Sequence, residues 1–165
     1  MMIVTPSDTW HKRMIQMAHL VASWSKDPST KCGAVITNYN HDPLSWGYNH
    51  FPARVPDNVE DYADREKKLS QVIHAELDAI IKCVQRYNPM GKHMFITGPS
   101  CDRCAAHVIH AGINKVYWPT LESSNAQTRS YRERWPDSIE RALSMYNSAG
   151  VEVHEIDMTD WELKL

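Results

Sequence analysis

The sequence lacks an apolar run long enough (about 18 residues) to cross a membrane. Its first residues, MMIVTPSDTWHKRM, also lack the continuous apolar core of a signal peptide, so we expect a cytoplasmic protein. Basic residues are not in excess, because 18 Lys and Arg stand against 20 Asp and Glu, for a net charge of −2. We therefore expect no binding to nucleic acid through its phosphate backbone. A small anionic ligand needs only a local pocket of positive charge, which this balance permits.

Cysteine is scarce, with four residues in the chain: Cys32, Cys83, Cys101 and Cys104. Without an export signal, these are expected to be thiols or metal ligands rather than a disulfide framework. Internal repeats and low-complexity segments are also missing. The 165 residues, 42% of them hydrophobic, are enough to bury a core, and we expect one domain over residues 1–165.

The hydrophobic pattern predicts an opening hairpin followed by alternating helices and strands. The predicted strands cover residues 31–38, 44–50, 92–98, 113–119 and 151–157. The predicted helices cover about 7–24, 69–86, 102–112 and 135–149. The predicted loops cover 51–68, with room for a short helix near its end, and 121–132. Strands that alternate with helices pair in parallel, whereas a hairpin is antiparallel. The prediction is an α/β fold, a three-layer α/β/α sandwich around a mixed five-stranded sheet.

Four residues near two predicted helix starts form a candidate metal site. His74 lies near the start of one helical run, and Cys101 and Cys104 lie at the start of the next. Zinc accepts one imidazole and two thiolates, and three protein ligands leave the fourth tetrahedral position open for water. Glu76, two residues after His74, is placed to reach that water rather than the metal. A carboxylate there can take a proton and pass it to a substrate nitrogen.

The combination H-x-E followed by C-x-x-C is the signature of zinc-dependent nucleobase deaminases. Three other interpretations remain open. Cys101 and Cys104 can be a redox pair, or part of a closed structural zinc site completed by His107 or His110. They can also be plain thiols that occur near His74 by coincidence.

Several segments resemble one known family. IHAELDAI followed by PSCDRCAAHVIHAGINKVYW is similar to the cytidine and deoxycytidylate deaminase superfamily, whose motifs read H-A-E and P-C-x-x-C. SKDPSTKCGAVI and GYNHFPARV resemble segments of its deoxycytidylate branch, and the similarity runs through nearly the whole chain. The resemblance implies a cytidine deaminase-like fold. It also implies hydrolytic deamination of dCMP to dUMP and ammonia, which supplies dUMP for thymidylate synthesis.

The resemblance assigns roles to individual residues. One zinc ion per chain would be held by His74, Cys101 and Cys104, with Glu76 as the proton shuttle. The residues expected to bind the substrate are Ser25 and Lys26 near the 5′-phosphate, Asn49 near the sugar or phosphate, and Ala75 and Pro99 near the base. From the sequence itself, Arg65 is either a phosphate ligand or part of a solvated charged face. Trp118 either stacks on the base or belongs to the core or to an interface.

This chain departs from the family pattern at two positions. Ser100 separates Pro99 from Cys101, and His50 stands where the family has the second glycine of G-Y-N-G. In relatives that region contributes to binding the effectors dCTP and dTTP, so the His50 change bears on whether regulation is retained. Relatives form dimers or hexamers, and a homo-oligomer is expected. The alternative functions are deamination of dCTP, cytidine or 5-substituted dCMP, and a non-catalytic nucleotide-binding subunit.

Overall fold

Helices and strands alternate along the chain in the computed structural model, which describes residues 2–5, 9–159 and 161. None of the helices in these ranges has both the length and the apolar character that crossing a bilayer requires. In chain order the elements are β1 (Met2–Thr5), α1 (Thr9–Ala22), β2 (Gly33–Thr37), β3 (Pro43–Tyr48), a 3₁₀ helix (Val59–Tyr62), α2 (Arg65–Gln71), α3 (Ala75–Val84), β4 (His93–Ile96), α4 (Asp102–His110), β5 (Lys115–Pro119), α5 (Ala126–Arg134), α6 (Pro136–Ala149) and β6 (Glu152–Ile156).

The strands form one mixed sheet in the order β1-β6-β5-β4-β2-β3. β2 pairs antiparallel with β3 and with β4, whereas the β4–β5, β5–β6 and β6–β1 pairs are parallel. The short turn between β2 and β3 permits only an antiparallel return, and the helical connections through α4 and α6 join parallel strands. The predicted α/β class and mixed sheet are confirmed.

The predicted number of strands was wrong, because the sheet has six strands and not five. The missed strand is β1 at the sheet edge, where Met2 lies opposite Val153 and Thr5 opposite Ile156. Four residues are too few to display an alternating pattern, so their β-branched composition was the only signal.

Two helix predictions also need correction. The predicted helix at 69–86 is interrupted, since α2 ends at Gln71 and α3 begins at Ala75. Between them Ile73 forms an isolated β-bridge with His50, a tertiary contact that overrides the helical pattern. The predicted loop at 121–132 contains most of α5, which Asn125 caps by accepting a hydrogen bond from the Thr128 amide at 2.8 Å. The predicted first helix began at residue 7, which lies outside the described residues.

The sheet separates two hydrophobic cores. The main core lies between the sheet and helices α3, α4 and α6, and it includes Met94 and Tyr146. On the opposite face, Ile15 of α1 packs in a second core with Phe95 and Tyr117. Successive residues of a strand point to opposite faces, which explains why Met94 and Phe95 belong to different cores. The three-layer prediction is therefore confirmed.

Two glycines let helices approach the sheet backbone closely. A Cβ atom on Gly33 would lie 2.0 Å from the Ala18 carbonyl oxygen of α1. A Cβ atom on Gly47 would lie 2.3 Å from the Ala75 carbonyl oxygen of α3. Only glycine permits these contacts, so β3 fixes the position of the first turn of α3.

His93 is a titratable group on the sheet face that α1 covers. It shares that face with Phe95, and its ring centroid lies 5.8 Å from that of Tyr117. Burial lowers the pKa of His93 from 6.5 to about 4, and the nearby Lys115 ammonium contributes to the shift. Among the described residues, its Nδ1 atom has no hydrogen-bond partner. The fold therefore favours the neutral imidazole.

We expect the free energy of unfolding to fall as the pH drops below 6.5 toward about 4, because the unfolded chain then binds a proton at His93 that the folded chain does not. The loss is at most about 1.4 kcal/mol per pH unit. Urea unfolding between about pH 7 and pH 5 measures it. His93→Gln should reduce this slope, whereas His110→Gln, at an exposed position, should not. Equal slopes in the wild type and His93→Gln would contradict the assignment.

Candidate active site

Two helix starts carry the predicted metal ligands. His74 immediately precedes α3 and Cys101 immediately precedes α4, each in an extended conformation with ψ of 156° and 165°. Cys104 lies in the first turn of α4, and its backbone N–H donates to Cys101 Sγ at 3.4 Å. Helix N-termini present unpaired N–H groups and the positive end of the helix dipole, which stabilise a thiolate.

The three side chains converge. His74 Nδ1 lies 3.5 Å from Cys101 Sγ and 3.3 Å from Cys104 Sγ. A tetrahedral zinc ion, with nitrogen at about 2.0 Å and sulfur at about 2.3 Å, requires nitrogen and sulfur to be roughly 3.5 Å apart. The ligand atoms all lie within 4.8 Å of one another, and no other His, Cys, Asp or Glu in the described part of the chain joins them. The donor set therefore fits one zinc ion with an open position, and neither His107 nor His110 closes it.

The local environment shifts the pKa values of the two cysteines in opposite directions. The pKa of Cys101 is lowered to about 4, because its thiolate accepts hydrogen bonds from Cys104 and from His74. The pKa of Cys104 is raised, since its thiol donates to Cys101 and is buried. When a metal binds to His74, Cys101 and Cys104, the protons that these side chains still carry are released, so the metal affinity depends on pH.

Glu76 lies beside the ligands without being one of them. It occupies the first turn of α3 with 5% of its surface exposed. Burial raises the pKa of its carboxyl group, and the negative charge of Cys101 raises it further. Glu76 in turn contributes to the raised pKa of Cys104, after Cys101 and burial. A buried carboxylate this close to the ligands has the chemistry of a proton shuttle.

His50 anchors the segment that leads to His74. Its backbone exchanges two hydrogen bonds with Ile73, at 3.2 and 2.8 Å. Its Nε2 atom lies 3.3 Å from an Asp78 carboxylate oxygen on α3, and this hydrogen bond raises the pKa of His50. His50 therefore connects the G-Y-N segment to helix α3, which follows the metal ligand His74.

Ser25 and Asn49 hold the loop that follows α1. Asn49 is buried, its Oδ1 atom accepts from the Cys32 amide at 2.8 Å, and its Nδ2 atom donates to the Thr30 carbonyl at 2.8 Å and to Asp27 at 3.3 Å. Ser25 Oγ donates to the Asn49 carbonyl at 2.8 Å. These bonds give both residues a structural task. Contact of either residue with a nucleotide stays a prediction.

The two predicted cations are both exposed, and Lys26 belongs to this loop. Lys26 donates to the Asp57 carbonyl at 2.7 Å and its side chain is 54% exposed. Arg65 is the exposed first residue of α2. Both remain accessible to an anion.

Ala75, Pro99 and Trp118 are all buried. Ala75 is the first residue of α3, directly after His74. Pro99 lies in the segment that links β4 to Cys101. Trp118 is 1% exposed in the main core, where its indole N–H donates to Glu155 at 3.3 Å. Trp118 is therefore a core residue in this structure, and its ring is not exposed for stacking on a base.

Two residues that the sequence did not point to, Tyr131 and Cys32, are electrostatically coupled to the site. Burial raises the pKa of the Tyr131 phenol, and the charges of Cys101 and Glu76 raise it further, which couples this α5 side chain electrostatically to both groups. Cys32 has its pKa raised to about 12, chiefly by burial and then by Glu76. Tyr131 escaped notice because α5 was predicted to be a loop. Nothing in the sequence around Cys32 distinguished it from a core thiol.

Comparison with known proteins agrees with this geometry. The family described as "Cytidine and deoxycytidylate deaminase zinc-binding region" matches residues 8–120. The "Uncharacterized deaminase in luxG 3'region" of Aliivibrio fischeri is 42% identical over 87% of this chain and 91% of its own length. The deoxycytidylate deaminase of Homo sapiens is 30% identical over 86% of this chain and 76% of its own length.

The fold has solved counterparts. The dCMP deaminase from the cyanophage S-TIM5, in complex with dCMP and dUMP, superposes with a TM-score of 0.72. The match covers 92% of this chain and 100% of that chain, at 21% sequence identity, and therefore supports the fold. The family match covers more than half of the chain and includes all three converging ligands and Glu76. This chain therefore belongs to the cytidine and deoxycytidylate deaminase family.

Proposed function

We propose that this protein is a zinc-dependent hydrolase that converts dCMP and water to dUMP and ammonia. The observation that carries the proposal is the open His74–Cys101–Cys104 group with Glu76 buried beside it. Relatives named deoxycytidylate deaminase, among them the human protein, support dCMP as the substrate. So does the fold-level match to a dCMP deaminase that was solved with dCMP and dUMP.

The proposed mechanism assigns one role to each group. When bound by His74, Cys101 and Cys104, zinc lowers the pKa of a coordinated water toward neutrality. Glu76 takes one proton of the water at its carboxylate and delivers it to N3 of the cytosine ring. It then takes the second proton, from the hydroxyl group formed on C4, and delivers it to the departing amino group. The C4–N bond breaks as a C4–O bond forms, so one water is consumed for each ammonia released. Burial of Glu76 limits competition from bulk water for this proton.

The loop after α1 is the proposed binding site for the sugar and phosphate. Ser25 and Asn49 keep it in place, and Lys26 provides an accessible ammonium for the 5′-phosphate. Arg65 is a second candidate cation, while Ala75 and Pro99 are proposed to line the base pocket. We leave Trp118 out of this set because it is enclosed in the core.

The remaining parts of the proposal are a cytoplasmic location and self-association. Four free thiols suit a reducing compartment. Trp24 and Trp46 are 49% and 43% exposed, and Trp24 contacts Tyr48 edge-on beside the sheet edge, which offers an apolar surface to a second copy. We do not include regulation by dCTP or dTTP, because His50 is engaged with Asp78 where relatives have glycine.

Glu76→Gln should abolish deamination while zinc stays bound, because the amide cannot shuttle a proton and is not a ligand. We expect a loss of about 100- to 10,000-fold in kcat, the usual contribution of a general acid–base group. Ammonia release and metal content are measured on the same sample. Glu66→Gln, at an exposed position on α2, is the matched control and should retain both. Activity of Glu76→Gln within tenfold of the wild type would refute the assigned role.

The substrate assignment predicts that dCMP has the highest kcat/KM among dCMP, dCTP, deoxycytidine, cytidine and 5-methyl-dCMP. Lys26→Ala should raise KM for dCMP and leave that for deoxycytidine nearly unchanged, because only dCMP carries a phosphate. Assays of all five compounds side by side measure this preference. If another compound is turned over and dCMP is not, the assignment of dCMP as the substrate is wrong. If zinc is bound and no compound is turned over, a non-catalytic nucleotide-binding subunit is favoured.

A further inference from the structure

Helix α6 holds the residues on both sides of Cys101. Near its end, Tyr146 Oη donates to Ser100 Oγ at 2.8 Å. Near its start, Ser138 Oγ accepts from the Asp102 amide at 3.0 Å and donates to the Asp102 carboxylate at 3.0 Å. The residue between these two contacts carries the thiolate that faces His74.

The Tyr146–Ser100 bond is enclosed by protein. Both residues have 0% of their surface exposed, and the Tyr146 ring belongs to the main core. Water cannot replace either partner there, and a buried polar group that loses its partner costs about 1–3 kcal/mol. The bond therefore restricts Ser100 to the position in which its hydroxyl meets the phenol.

The other contact between α6 and this segment is weaker. Arg141 Nε donates to Asp102 at 2.7 Å, but the two side chains are 62% and 34% exposed. Solvent screens such a pair, and exposed ion pairs contribute little. Arg141 therefore serves as a comparison for Tyr146, on the same helix and directed at the same segment.

We propose that Tyr146 and Ser100 are positioning residues for the metal site. Their hydrogen bond fixes the peptide that enters Cys101, and so keeps Cys101 Sγ within 3.5 Å of His74 Nδ1. Substitution of residues that orient metal ligands without binding the metal typically lowers metal affinity by about 10- to 100-fold. Ser100 is also the residue that separates Pro99 from Cys101, so the pair acts at the position where this chain departs from the P-C-x-x-C order. The inference rests on the proposed zinc site.

The test is the zinc affinity of Tyr146→Phe, measured by competition with a chromophoric chelator. The variant keeps the ring and removes the hydroxyl, and we expect zinc binding at least about tenfold weaker, with excess zinc restoring occupancy. Ser100→Ala, which removes only a hydroxyl, should behave alike. In the cobalt-substituted protein, both variants should shift the absorption bands of the thiolate ligands. If Tyr146→Phe does not fold, Ser100→Ala decides the question by itself.

Two controls separate positioning from general stability. Tyr62→Phe removes another buried phenol, hydrogen-bonded to Asp57, and should lower stability without changing zinc affinity. Arg141→Gln should also leave zinc affinity within about threefold of the wild type.

A double variant tests whether the two residues act as a pair. Ser100→Ala with Tyr146→Phe should lose no more zinc affinity than the weaker-binding single variant. Fully additive losses, or wild-type zinc affinity in Tyr146→Phe despite lower stability, would overturn the proposal. A wild-type protein that binds no zinc would instead refute the proposed function.

Discussion

The site depends on the approach of two helix starts at one end of the sheet. One helix can present its capping residue and its first turn to a ligand. Two helices can share a metal only if the ligand atoms at their starts are held within a few tenths of an ångström of the positions that the metal requires. Gly47 allows α3 to press on the sheet backbone, and the contacts of α6 secure the start of α4. His74 Nδ1 consequently reaches both thiols, at 3.5 and 3.3 Å.

A buried polar network keeps the neighbouring loop equally well defined. Asp27 is 2% exposed, and its carboxylate pairs with the Lys68 ammonium at 2.8 Å and accepts from the Ser29 amide at 2.9 Å. A buried carboxylate with these partners is stable, whereas removal of one partner would leave an uncompensated charge. Asn49 extends the network to Cys32, the residue before β2. The loop proposed to receive the nucleotide is therefore arranged before any ligand arrives, which reduces the entropic cost of binding.

The residues of the candidate metal site were easier to predict from the sequence than the fold around them. His74, Cys101 and Cys104 were predicted because metal ligands recur at characteristic spacings in the chain, and Glu76 because it follows His74 by two residues. Residues that act through tertiary contacts leave no such spacing: Tyr131 belongs to a helix without an apolar stripe, and only the structure brings Tyr146 to Ser100. The break between α2 and α3 was hidden for the same reason, since it is caused by pairing of Ile73 with a distant residue. The edge strand β1 was simply too short to show a period.

Zinc K-edge X-ray absorption on the purified protein tests the central claim most directly, because it reports the ligand set itself. We expect one zinc per chain with two sulfur ligands at about 2.3 Å and two nitrogen or oxygen ligands at about 2.0 Å, one of them from His74 and one from solvent. A first shell of four sulfur or histidine ligands without an exchangeable position, or one without sulfur, would contradict it.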